Sequence, residues 1–179
     1  MSKGHGMTSR ITLHLSDTEA TRALGGQLAT LVRAGDLVIL TGDLGAGKTT
    51  LTQGLGAALN VRGQVASPTF VIAREHPSLG EGPGLVHVDA YRLGGLGELD
   101  ALDLDSSLDS SVTVVEWGAG LVETLSDDRL EIAIDRARGE AEDVGRDVTV
   151  HAIGERWAGV DLSALTSPTL PTSQTPLTS

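Results

Sequence analysis

Within TGDLGAGKTT (residues 41–50), Gly42, Gly47, Lys48 and Thr49 fall into the spacing G-x-x-x-x-G-K-[ST], the pattern of a loop that cradles nucleotide phosphates. Glycines at 42, 45 and 47 let the backbone curl so that successive N–H groups point inward at an anion. A helix leaving the loop adds the positive end of its dipole. Lys48 puts a compact charge on a flexible stem, suited to β- and γ-phosphates in a way that arginine's planar fork is not. Thr49 offers a hydroxyl to Mg2+. The residues expected against the nucleotide are therefore Asp43, Leu44, Gly45, Ala46, Gly47, Lys48, Thr49 and Thr50. The only other lysine is Lys3; arginine supplies the remaining fixed positive charge. An arginine-favouring composition explains why lysine is rare, but not why the second one sits between Gly47 and Thr49.

Two further groups suit the same chemistry. LVHVD ends in Asp89 and VTVVE ends in Glu116, and ligands of α/β sheets bind at the carboxyl ends of strands. One carboxylate can hold Mg2+ with Thr49 while the other orients or deprotonates an attacking water. The residues by themselves permit either assignment, and a strand-end acid can equally cap the element that follows. In SPTF, Pro68 stiffens a loop whose Ser67 and Thr69 hydroxyls could reach a γ-phosphate or its metal, although a plain turn into a strand has the same composition. The chain has one Phe, one Tyr and two Trp. Phe70, Tyr91 and Trp117 all lie beside these candidate groups, and Trp117 is expected to line the nucleotide pocket or a docking face. His87, between two valines, reads as structural.

The elements that must position these groups follow a βα order. DLVIL (36–40) runs into the loop as an apolar strand, and a helix over 49–59 leaves it. Before them, ITLHL alternates as a strand. A helix then follows, with Ser16 and Glu19 placed as a capping box and Leu24, Leu28, Leu31 and Val32 on one face. FVIAREH, LVHVD, VTVVE, RLEIAID and DVTVHAI read as further strands, the last two joined by the charged loop RARGEAEDVGR. GELDALDLDSSL reads as a short acidic helix with a solvated face. The pattern implies one α/β domain over residues 11–162 with a mixed, mostly parallel sheet flanked by helices. Residues 1–10 are expected to be a disordered lead. Residues 163–179, rich in Ser, Thr and Pro without charge, are expected to be a disordered tail.

Composition narrows the function classes. At 179 residues the chain suits one domain. The absence of cysteine excludes disulfides and thiolate chemistry. No apolar run reaches the length of a membrane span, so a cytoplasmic protein without a membrane partner is expected. The formal net charge of −11 repels phosphate backbones, and the arginines form no stripe. Contact with a nucleic acid would have to run through a partner.

GDLGAGKTT, SPTF, HVDAYRL and VEW, in that order, resemble the TsaE (YjeE) family of ATPases from about Ile11 to Gly154. SPTF with HVDAYRL carries the specificity, and Gly118 stands where the family often has proline. The resemblance implies a P-loop NTPase domain that uses ATP and Mg2+ and supports threonylcarbamoyladenosine formation at tRNA position 37. Its partners would be TsaD- and TsaB-type proteins, with tRNA engaged only indirectly. It also implies Glu116 and Thr49 on the metal, with Asp89 and Lys48 serving catalysis. The alternative is a small-molecule P-loop kinase of the shikimate-kinase type, for which Arg136, Arg138 and Arg146 would have to form a phosphate-clamping lid. A GTP switch is disfavoured: the one asparagine, Asn60, has no neighbouring lysine to build a guanine-reading Asn-Lys-x-Asp string.

Overall fold

The computed structural model describes residues 8–43, 45–65, 73–89, 109–116, 127–136 and 145–165. Leu37, Val38, Ile39 and Leu40 are all buried in a strand, β2 (Leu37–Gly42). An uninterrupted apolar run of this kind is what a central strand, covered on both faces, requires. β2 pairs in parallel with β5 (Ser111–Glu116) on one side and β6 (Arg129–Arg136) on the other. β4 (Gly84–Asp89) extends the parallel block beyond β5. β3 (Ala73–His76) closes one edge antiparallel to β4. At the other edge β7 (Arg146–Ile153) lies antiparallel to β6, and β1 (Ser9–Leu15) lies antiparallel to β7. The sheet order is β1-β7-β6-β2-β5-β4-β3. Only β3 and β7 run against the other five strands, so the sheet is mixed and mostly parallel.

Two helices, α1 (Thr18–Leu28) and α2 (Lys48–Leu59), pack on each other and on one face of the sheet. Leu24 and Leu28 of α1 and Leu51 and Leu55 of α2 meet Val38, Leu40, Leu85, Val112, Val114, Ile132 and Val150 from the strands. The helices approach closely because glycines stand at the crossing: a β-carbon on Gly54 would collide with the Arg22 carbonyl, and one on Gly25 with that of Leu51.

The cap of α1 differs from the expected one. Asp17, not Ser16, is the N-cap, and its carboxylate accepts the Ala20 N–H at 2.8 Å. Glu19 turns outward to pair with Arg22 at 2.8 Å and closes no capping box. Either Ser16 or Asp17 is a competent cap; the helix begins one residue later than the expected box requires.

β1 begins at Ser9, and packing at the other end continues through Leu165, 3% exposed, after a 3-10 turn at Leu162–Ala164. A second 3-10 turn, Glu155–Trp157, buries Trp157 and is tied to the entrance of β2. There Arg156 donates Nε–H to Asp36 Oδ1 at 3.0 Å, and its Nη2 donates to Asp36 Oδ2 and the Leu31 carbonyl, each at 2.9 Å. Among the described residues no helix is long and apolar enough to cross a membrane.

Candidate functional site

The loop between β2 and α2 lies at the carboxyl edge of the parallel block. Gly47 has φ 115°, a conformation disfavoured for residues with a side chain, and this turns the chain into α2 so that the helix begins at Lys48. The loop is tied by its own backbone, Ala46 N–H donating to the Asp43 carbonyl at 3.0 Å. Two arginines, one ending β6 and one starting β7, also hold it. Arg146 Nε–H donates to the Ala46 carbonyl at 3.0 Å, and Arg136 Nη2 reaches the Gly45 carbonyl at 3.4 Å. The Gly45 and Ala46 carbonyls are thus turned to arginines, which leaves the N–H groups free to line the concave side.

Lys48 is buried, 6% exposed. Its ammonium donates to the Gly42 carbonyl at 2.7 Å and the Asp43 carbonyl at 3.0 Å, spanning the mouth of its own loop. Burial lowers its pKa, while the charges of Glu116, Asp43 and Asp89 oppose that shift. Three carboxylates therefore lie within electrostatic reach of one ammonium. The sheet explains the gathering. Asp89 and Glu116 are direct partners across the parallel pair β4–β5, and Leu40 of β2 is level with Glu116 on its other side. Because alternate residues share a face and Leu85, Val112 and Val114 lie beneath the helices, Asp89 and Glu116 point to the side on which α2 begins.

Thr49, in the first turn of α2, donates its hydroxyl to Glu116 Oε1 at 3.3 Å. Neighbouring oxygen ligands of an octahedral cation with bonds of ~2.1 Å lie ~3 Å apart, so this pair suits a small divalent cation. Among the described residues no three His, Asp or Glu side chains form a metal cluster of their own. A cation here would need water and phosphate oxygens to complete its shell, as Mg2+ bound with a nucleotide does.

The expected nucleotide contacts Asp43, Gly45, Ala46, Gly47, Lys48, Thr49 and Thr50 are thus assembled on one loop and helix end, with Asp89 and Glu116 beside them. Thr50 also lines a small polar recess with Asp17, Thr21 and Arg146. Leu44, Thr69 and Trp117 lie outside the described residues, as do SPTF, Tyr91, Arg92 and Arg138. One contact beside the site was not foreseen from the sequence. His87, taken as structural, lies with its Nε2 3.1 Å from Glu116 Oε1 and is wholly buried. The available signal was its spacing of two from Asp89, which places both on one face of the strand.

Comparison with known proteins places the chain in a family. The family described as "Threonylcarbamoyl adenosine biosynthesis protein TsaE" matches residues 15–147. The tRNA threonylcarbamoyladenosine biosynthesis protein TsaE of Streptomyces coelicolor is 67% identical over 145 residues, covering 80% of this chain and 98% of its own. The protein of the same name from Bacillus subtilis is 40% identical over 140 residues, covering 78% of this chain and 84% of its own. The crystal structure of Bacillus subtilis YdiB superposes with a TM-score of 0.66 at 32% identity, spanning 85% of this chain and 91% of that one.

Proposed function

The chain belongs to the TsaE family, and from that premise we propose that it is a Mg-ATP-hydrolysing accessory protein that supports threonylcarbamoyladenosine formation at position 37 of tRNA. The observation that carries the nucleotide reading is the composition of the loop mouth: one ammonium, Lys48, faces Asp43, Asp89 and Glu116. Such a site has too much negative charge to hold bare phosphates and too few ligands to hold a cation alone. A nucleotide that arrives with its cation satisfies both.

In this reading the loop N–H groups and Lys48 bind the β- and γ-phosphates. Thr49 and Glu116 would hold Mg2+, which supplies charge neutralisation across the phosphates. The Thr49–Glu116 hydrogen bond favours Glu116 over Asp89 for that place. Asp89 is left to orient a water and take its proton as the water oxygen bonds the γ-phosphorus and the β–γ bridging bond breaks, giving ADP and phosphate. Adenine as the base rests on the family resemblance.

The acidity of the chain, −11 overall, fits a protein that reaches tRNA through TsaD- and TsaB-type partners. The kinase alternative is weakened by Arg136 and Arg146. A lid would present them to substrate phosphates, whereas here they hold the loop's own carbonyls.

ADP release should be slow for the isolated protein and should rise when the partner proteins are added. Lys48→Ala should abolish it, and Asp89→Ala should reduce turnover more than nucleotide affinity. Stimulation by a small hydroxylated metabolite, with none by the partner proteins, would favour the kinase. Wild-type turnover by Asp89→Ala would remove Asp89 from the role given to it.

A further inference from the structure

A closed histidine stands directly behind the carboxylate assigned to the cation. His87 is 0% exposed, its Nε2 faces Glu116 Oε1 at 3.1 Å, and its Nδ1 has no hydrogen-bond partner among the described residues. An ionised carboxylate can only accept, so the hydrogen sits on Nε2. A hydrogen on Nδ1 would be a buried N–H with no acceptor among the described residues. The ring therefore offers one donor, and that donor is aimed at Oε1.

Thr49 donates to the same Oε1 from the opposite direction in the fold, the start of α2. Two donors from different elements thus converge on one oxygen of Glu116, while Oε2 takes no hydrogen bond among the described residues. A residue needed only to fill this space could be apolar and would leave no orphaned nitrogen. Donors placed behind a metal-binding carboxylate orient it and raise its affinity for the metal.

We propose that His87 is a positioning residue for Glu116: it holds the carboxylate from behind, fixes its orientation toward the cation that accompanies the nucleotide, and thereby sets the affinity for that cation without touching it. The assignment rests on the Mg-nucleotide reading above. Its test is a Mg2+ titration of the melting temperature in saturating ADP, paired with ADP affinity measured in EDTA. His87→Leu should raise the Mg2+ midpoint about tenfold or more, with metal-free ADP affinity unchanged within about twofold. His87→Gln, whose longer amide can reach Glu116, should recover much of the wild-type midpoint. His87→Asn, which is shorter, should not.

A purely structural histidine would lower stability, or ADP affinity with and without metal alike, and leave the midpoint in place; that result overturns the proposal. Should the leucine variant fail to fold, the Gln and Asn variants decide, and equal midpoints for the two overturn it. A wild-type protein whose melting temperature ignores Mg2+ in the presence of ADP would sink the nucleotide reading itself, and the role of His87 with it. A normal wild-type response, with variant midpoints that match it, sinks the role of His87 alone.

Discussion

On the proposed function, Lys48 bears on how the site would select a phosphate ligand. Its ammonium is satisfied by the Gly42 and Asp43 carbonyls, so an incoming phosphate must compete with contacts that already exist. Glu116, Asp43 and Asp89 lie within electrostatic reach of it, and each repels a phosphate oxygen. Removing Mg2+ should therefore weaken ADP binding by about tenfold or more, on the order of 1.4 kcal/mol, while binding of uncharged adenosine should be indifferent to EDTA. Calorimetric titration of both ligands, with and without chelator, checks this. ADP binding that is equally tight in EDTA would show that the carboxylates do not control the site.

At the scale of elements, the parts legible in the sequence were those encoded by neighbouring residues. The loop follows from glycine and lysine spacing, β2 from its unbroken apolar run, and Asp89 and Glu116 from the ends of two such runs. What depends on distant pairing was not legible. Nothing between residues 87 and 116 says that β4 and β5 will be neighbours in parallel register, and only that register brings His87 to Glu116. The same holds for Arg146, which reaches the loop only because β7 folds beside β6. The helix crossing is a third case, since glycines at 25 and 54 acquire meaning only when α1 lies on α2. Gly54→Ala should cost about 1–3 kcal/mol, because its β-carbon meets backbone that cannot yield. Gly26→Ala lies in the same helix pair, but its nearest neighbour would be the Ala58 side chain at 4.0 Å, and it should be neutral or stabilising by about 0.5–1 kcal/mol. Denaturant melts of the two variants provide the comparison. A Gly54→Ala protein as stable as wild type would mean that the crossing can open without cost.

For the whole molecule, the Asp36–Arg156 pair fastens the end of the described chain to the strand that feeds the nucleotide loop. Both side chains are largely enclosed, 6% and 12% exposed, so breaking the pair leaves a buried charge rather than a solvated one. Asp36→Ala should lower stability by about 3 kcal/mol, toward the low end for such pairs because Arg156 keeps the Leu31 carbonyl. The melting temperature should fall by about 6–12 °C for a chain of this size. A fall of less than about 2 °C would mean that water replaces the carboxylate.

The placement of β1 beside β7 has a consequence for the order in which the protein comes into being. Among the described residues the first strand, Ser9–Leu15, has its only sheet partner in β7, Arg146–Ile153, and the loop completed at Lys48 receives its Arg146 anchor from that same late strand. During synthesis the loop is made early but must wait for roughly a hundred further residues, about 5–20 s at ordinary elongation rates, before the strand that braces it exists. Until then the unpaired edge of β1 is exposed to other chains, and no finished site is available for a nucleotide to stabilise. On the proposed function, a nucleotide can therefore act as a folding ligand only for polypeptides already synthesised through β7.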